Sequence, residues 1–412
     1  MNTNYKERKT ISGKDKEAFD EFLAGKERWN AYVEKHGDDT TVDFSGVDFS
    51  KHRKGKGEFN FSGYLFPKNG SVSFASANFG EGAVSFKDSR FYGNGGVYFE
   101  DAKFGKGIVL FECTGFGKGR VTFERAQFGN GGVYFNGSAF MGVVTFRHSR
   151  LGEGDFICDY CEFGGHVSFE SLKFSERLSK FSLRHSSFDK SLDISDNTFN
   201  CIPDLTNTKL TNQVSLDRME ISDDYPREGD FNKSDGERLC RLKELSEANK
   251  SYQQALDFHV IEMRAKRYIR MRGKQDKIKN QNTKGKKLRI YLGEILHRYL
   301  DKIFDIVCIY GQSIIRPGLS LIGLTIVCTL IYANESSLDY FPLEYGFLYS
   351  VSQVFSFVPA GRSITIGILD KLFPCEPQQI PDVIYSLSLI QGVLSFLLVF
   401  LIGLGLRNRF RL

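Results

Sequence analysis

A parallel β-helix, joined through a helical linker to a two-span membrane module, is the fold that this sequence predicts, and three observations predict it. Apolar residues, most of them Phe, recur in pairs five apart through residues 41–225. A basic segment with helical periodicity follows, and the C-terminal third then carries long uncharged apolar runs. The composition agrees. Of 412 residues, 41% are hydrophobic, 38 are Phe and 41 are Gly, which is too apolar for a disordered chain and biased in the way a repeat array is biased. Eight Cys in a chain of this length do not make a disulfide framework. The polar, charged residues 1–16 do not read as a cleavable signal peptide.

The first region, 1–40, is a polar tail followed by an amphipathic capping helix. Ala18, Phe19, Phe22, Leu23, Trp29, Tyr32 and Val33 fall near helical spacing with charges between them. Trp29 is the only Trp in the chain.

The second region, 41–225, is the array. Its pairs are Phe44/Phe49, Phe61/Phe66, Phe74/Phe79, Phe86/Phe91, Phe99/Phe104, Phe111/Phe116, Phe123/Phe128, Phe135/Phe140, Phe146/Leu151, Cys158/Phe163, Phe169/Phe174, Leu183/Phe188, Ile194/Phe199, Leu205/Leu210 and Leu216/Ile221. Two residues before the first member stands an apolar residue, as at Val72, Val97 and Val121. Two before the second stands a small one, as at Ala77, Ser89 and Thr114. Residues two apart in an extended segment share a face. Each unit therefore turns one large and one smaller side chain inward, with corners between units and Gly supplying their dihedrals. One unit cannot bury its own Phe. Stacked coils can, because like residues then form columns. If two pairs make one coil, the array makes about seven and a half coils, a rod of about 36 Å at the ordinary strand spacing.

This pairing resembles the Phe-rich variety of the pentapeptide-repeat family. The resemblance implies a right-handed quadrilateral β-helix, here with extra residues at alternate corners.

The third region, 226–300, is a basic helical linker. Leu239, Leu242, Leu245, Tyr252, Leu256, Val260 and Met263 keep helical spacing, and the basic run from Arg264 to Lys279 follows. The fourth, 301–412, is the membrane domain. Residues 383–406 carry no charge over about 36 Å of helix, and 317–333 none over about 25 Å, against a hydrocarbon layer of about 30 Å. Between them, 345–361 is a third uncharged run, too polar at Ser350, Ser352, Gln353 and Ser356 for a span and suited to a re-entrant segment. Its pore-loop candidates are Tyr349, Ser352, Gln353, Phe355, Ser356, Phe357, Pro359 and Arg362. Gly392, Gly403 and Gly405 in the second span permit close helix packing. From Arg264 to Arg316 there are 15 Lys/Arg against 4 Asp/Glu, whereas 334–382 has 2 against 6. The positive-inside rule then puts both termini and the array in the cytoplasm, with the spans in the inner (cytoplasmic) membrane.

Chemistry-bearing motifs are sparse. The Gly-x-Gly pieces recur at the repeat period and belong to turns. Cys158 and Cys161, near His148 and His166, have the spacing of half a zinc site, but Cys158 stands in a Phe column and Cys161 at the small inward position, so both read as core. No catalytic residue, cofactor or metal is expected. Nucleic acid is disfavoured as a partner, because 21 Lys/Arg against 23 Asp/Glu between residues 40 and 225 make neither a basic groove nor an acidic mimic of DNA.

Residues 235–412 also resemble the membrane module of ion-channel-like pentapeptide-repeat proteins. The resemblance rests on Tyr310-Gly311-Gln312-Ser313 before Arg316-Pro317, on Phe400 to Arg411, on the helical stretch from Arg241 to Met263, and on Arg28-Trp29-Asn30. It implies a bacterial two-span pore formed by a homo-oligomer, four subunits by analogy. The array would serve as sensor, gate or scaffold open to a cytoplasmic protein partner, and the pore would suit a stress or phage-defence effector. The potassium filter Thr-Val-Gly-Tyr-Gly is absent; Phe357-Val358-Pro359-Ala360-Gly361-Arg362 stands in its place. The alternative expectation is a non-conducting, membrane-anchored interaction scaffold.

Overall fold

The structure is a computed structural model and describes residues 14–53, 57–174, 178–222, 231–279, 284–338, 342–355, 359–374 and 380–410. It divides into two compact units, Met1–Tyr268 and Ile269–Leu412.

The first unit is built on a β-solenoid of about seven turns. Strands of two or three residues from successive turns pair in parallel, one eight-stranded sheet and two six-stranded sheets running along the axis, with shorter pairings between them. The registers align like residues. Val72 pairs with Val97, Val97 with Val121, Val121 with Val144 and Val144 with Val167, in steps of 23 to 25 residues. Four Phe columns result. From Phe74 through Phe99, Phe123 and Phe146 to Phe169, successive ring centroids are 4.8–5.0 Å apart with planes within 13°. Phe49, Phe79, Phe104 and Phe128 make a second column, Phe86, Phe111 and Phe135 a third, and Phe91, Phe116, Phe140, Phe163 and Phe188 a fourth. The coil spacing imposes this stacking, and the columns meet one another edge to face, as Phe111 meets Phe99 and Phe123 at 5.5 Å.

Cys158 and Leu183 replace Phe in the third column, and the positions two before them, Val at 84, 109 and 133, become Phe156 and Phe181, which stack at 5.2 Å. The larger neighbours fill space that the missing rings leave in a close-packed core.

The small inward residues form a polar column. Ser89, Thr114, Ser138 and Ser186 are buried, and each hydroxyl donates to a backbone carbonyl one turn back: Phe61 O (2.7 Å), Phe86 O (2.8 Å), Phe111 O (2.5 Å) and Cys158 O (2.6 Å). Ser138 Oγ also accepts from Thr114 N at 3.0 Å. Buried hydroxyls are tolerated because each is paired.

The corners differ from the sequence expectation. Two residues after the first member of every pair the backbone is left-handed, yet Gly occupies this place only at Gly46, Gly63 and Gly137. Elsewhere Ser76, Asp88, Asp101, Cys113, Arg125, His148 and others hold φ of 53° to 59°. Stacking on both sides over-determines a conformation that L-residues otherwise avoid. Many of the glycines serve a different need, close approach. A Cβ on Gly95, Gly119, Gly142 or Gly165 would lie 1.9–2.2 Å from the carbonyl oxygen of the residue one turn back.

Both ends of the solenoid are covered. Helices α1 (Lys14–Ala24) and α2 (Lys26–His36) replace the single helix expected from the sequence, because Gly25 at φ 117° cannot continue a right-handed helix. Phe22 stacks on Phe61 at 4.3 Å, and Trp29 Nε1 donates to Leu65 O at 2.8 Å. At the other end, α3 (Asp235–Ala248) and the start of α4 (Tyr252–Lys279) lie on the last turn. Asn249 Nδ2 donates to Val214 O, Gln254 Nε2 donates to Leu216 O, and Arg238 pairs with Asp204 at 3.0 Å. Leu239, Leu242 and Phe258 join the solenoid core. Burial alone would raise the Glu262 carboxyl, but hydrogen bonds from His259, Lys243 and Lys266 outweigh it and hold the group at about 2.

The second unit is helical: α5 (Lys284–Cys308), α6 (Ile315–Asn334), α7 (Leu343–Val354), α8 (Pro359–Leu372) and α9 (Asp382–Arg409). Helices α6 and α9 are long and apolar enough to cross a membrane. They run antiparallel. Tyr332 near the end of α6 bonds Gln391 in the first half of α9, and Gly311 just before α6 accepts from Asn408 Nδ2 near the end of α9. Helices α7 and α8 form a hairpin between them. Gly346 of α7 abuts Thr329 and Ala333 of α6, and Leu372 O at the end of α8 accepts from Ser337 N, just beyond α6, at 3.2 Å. Both outer ends of the hairpin thus lie near the C-terminal end of α6.

Candidate functional site in the helical unit

The hairpin is held by an uncharged polar seam. Gln391 Nε2 donates to Ser350 O (3.0 Å) and to Ser350 Oγ (2.8 Å), and Gln391 Oε1 accepts from Tyr332 OH (2.8 Å). Ser350 Oγ in turn donates to Thr325 O (2.9 Å), midway along α6. Gln391, Ser350 and Tyr332 are fully buried. The Tyr332 ring meets Tyr349 edge to face at 4.7 Å. Amphipathic spacing cannot supply these contacts. They need an amide with two donors and an acceptor at a position where three helices converge.

The sequence candidates fall around this seam. Tyr349, Ser352 and Gln353 are buried inside the unit. Ser352 Oγ donates to Tyr349 O at 2.7 Å and accepts from Thr365 Oγ1 at 3.0 Å, which ties α7 to α8. Gln353 opens, with Thr365, Ser388, Gly392, Leu389 and Phe396, onto a groove of about 890 Å³ between α8 and α9. Phe355 is 51% exposed. Ser356 and Phe357 lie outside the described residues; Pro359 and Arg362 belong to the first turn of α8. Of the three glycines, Gly392 borders the groove and Gly405 packs tightly on Ile314, where an added Cβ would sit 3.0 Å from Cγ1. A Cβ added at Gly403 would meet nothing within 4 Å outside its own helix backbone. The sequence marks Ser350 only as a polar residue of the third uncharged run, and Gln391, Tyr332 and Gly346 are contributors that the sequence did not single out. The signal available was an amide in the middle of an otherwise apolar, span-length run, where a polar group needs a partner.

The seam gives a measurable expectation. Gln391→Leu deletes three hydrogen bonds and leaves the Tyr332 hydroxyl unpaired. A buried hydrogen bond contributes about 0.5–1.5 kcal/mol net, and an orphaned partner costs more, so a loss of about 2 kcal/mol is expected on denaturation of the purified protein. A Gln391→Leu variant as stable as wild type would mean that the seam does not hold α7.

The other sequence candidates for chemistry lie in the solenoid. Cys158 and Cys161 both face the core; Cys161 Sγ donates to Phe135 O at 3.1 Å, and burial pushes the Cys158 thiol up. His148 occupies a left-handed corner, and exposed His166 bonds Ser191 through Nδ1. Among the described residues, no three His, Cys, Asp or Glu side chains gather as a metal centre would require.

The chain matches no family model, no curated protein and no solved structure.

Proposed function

We propose that this chain is the subunit of a homo-oligomeric membrane pore of pentapeptide-repeat type, in which a right-handed, four-sided solenoid serves as cytoplasmic sensor, gate or assembly scaffold. One observation carries the reading. A short helix bearing uncharged polar residues is bonded halfway along one span-length helix and to the other, and its hairpin partner returns to the end from which it started. Such a hairpin is what a re-entrant segment requires, since backbone at membrane depth must be covered by protein. Two spans cannot enclose an aqueous path, so the pore is a ring of subunits, four by analogy. The ends of α6 and α9 that meet at Gly311 and Asn408 carry Arg316, Arg407 and Arg409, which favours the cytoplasmic side for both termini. The membrane is the bacterial inner membrane, and permeabilisation under stress or phage attack is the physiological output we favour. The absent potassium filter argues against selective potassium passage, and Arg362 beside the hairpin tip favours anions. The protein performs no catalysis and needs no cofactor in this reading; nucleic acid is not among its partners.

A second reading has its own support. Tyr349 and Ser352 are buried within their own subunit, as they would be in a non-conducting anchor for a cytoplasmic partner bound on the solenoid. Reconstitution separates the two. The pore reading expects currents in liposome patches and a defined oligomer in detergent. It also expects Phe355→Asp and Gln353→Asp to shift selectivity toward cations. Silent membranes together with a monomer would establish the anchor.

A further inference from the structure

Helix α5 is inside out. Leu296, Tyr299, Leu300, Ile303 and Ile306 are 54–64% exposed, and at 100° per residue they occupy one arc of about 120°. The opposite face is the one that the protein covers: Arg270 of α4 bonds His297 and pairs with Asp301 at 2.9 Å, and Asp305 is buried. A helix at the surface of a water-soluble protein does the reverse. The exposed face of α5 needs an apolar environment, and among the described residues none supplies it.

We infer that α5 lies in the headgroup region of an anionic bilayer surface, with its apolar arc sunk into the acyl boundary. Three features point there. First, α5 ends where the span-length helix α6 begins. Arg316 Nη1 donates to Ile306 O at 3.3 Å, and the exposed arc of α5 continues into the exposed residues Ile315, Leu319 and Ile322 of α6. Second, the turn between the helices, Ile309-Tyr310-Gly311 with φ of 49°, 51° and 82°, is clamped onto Asn408 of α9, so α5 leaves the bundle at the level of Arg316, Arg407 and Arg409. Third, the charge is of the right sign. Lys284, Lys286, Lys287 and Arg289 stand in the first turns, and Arg298 and Lys302 farther along are exposed, while Asp301 is already paired. Interfacial helices combine this moment with this charge, and each cation near an anionic surface adds to the attraction. Leu296, Tyr299, Ile303 and Ile306 also alternate by three and four as a coiled-coil seam does. However, Leu300 widens the arc beyond the narrow seam of two packed helices, and the run is shorter than the three to four heptads such pairing needs.

The inference rests on the membrane reading above, and the test separates the two. Tyr299→Trp, Leu300→Trp and Leu389→Trp variants of the full chain are reconstituted in vesicles of phosphatidylcholine with phosphatidylglycerol, with acyl-chain bromines on one lipid or the other. Wild-type emission from Trp29 is subtracted. Leu389, 71% exposed on α9, reports on the spans. The expected result is a blue-shifted signal from the Tyr299→Trp variant that brominated lipid quenches by about half or more, with brominated phosphatidylglycerol quenching beyond its mole fraction. Quenching of the Leu389→Trp variant without quenching of Tyr299→Trp or Leu300→Trp overturns the placement of α5 alone. A blue shift in Tyr299→Trp that no brominated lipid quenches assigns the arc to a second copy of the chain and likewise overturns it. No quenching of Leu389→Trp removes the membrane reading itself. Equal quenching by both lipids rejects the anionic preference.

Discussion

Phe111→Ala is expected to destabilise the solenoid by about 3–5 kcal/mol. Phe111 is fully buried and stacks on Phe86 at 5.1 Å and on Phe135 at 5.0 Å, while Phe99 and Phe123 meet it edge to face. Truncation removes contacts along the axis and across the core together. The backbone cannot close the void, since it is held by parallel pairing to the turns before and after. Because each turn touches only its neighbours, the loss should be local. Hydrogen exchange of the full-length protein in detergent should show protection falling by more than about a hundredfold in the turns carrying residues 86, 111 and 135. The turn of Phe188 should change far less. Phe111→Leu, which copies the residue at 183 and 205 in the same column, should cost much less. Unchanged exchange in Phe111→Ala would falsify the column as the source of stability.

Gly119→Ala should destabilise by about 3 kcal/mol although it adds only a methyl group. The new Cβ would stand 1.9 Å from Gly95 O and 2.4 Å from Gly95 C, and both are backbone atoms of a hydrogen-bonded turn. Relief requires two turns to part by more than about 1 Å, which breaks the pairing of Val97 with Val121. The entropic benefit of replacing Gly, about 0.4–1 kcal/mol, works in the opposite direction and is outweighed. Gly273→Ala in helix α4, whose added Cβ would meet nothing within 4 Å outside the helix's own backbone, is the matched control and should be neutral or stabilising. Thermal unfolding of the three proteins in the same detergent decides it; equal midpoints for Gly119→Ala and Gly273→Ala would refute the close-approach account.

These two residues mark the boundary of what the sequence makes legible. Phe111 could be placed in a column from spacing alone, because period-two alternation and a five-residue offset leave a large apolar residue nowhere else to go. Gly119 reads in the sequence as turn chemistry, whereas its role is to let one backbone lie on another. That distance exists only after coils stack. The corner residues carry no shared side-chain chemistry: Ser76, Arg125 and Tyr160 all hold positive φ, so no compositional signal could have found them. Phe156 and Phe181 were hidden because they stand where Val is the rule.

In the helical unit the lengths of the apolar runs are written in the chain, and so are the cations that flank them. Which polar residues meet is not, since Tyr332 and Gln391 lie 59 positions apart and Ser350 and Gln391 lie 41 apart. By itself the sequence determined the solenoid, its Phe columns and the two span-length helices, because those follow from local period and from length. Only the tertiary structure decided which glycines separate turns, which amide locks the hairpin, and that α5 turns its polar face inward. Each of those depends on distances between segments far apart in the chain, which no local pattern encodes.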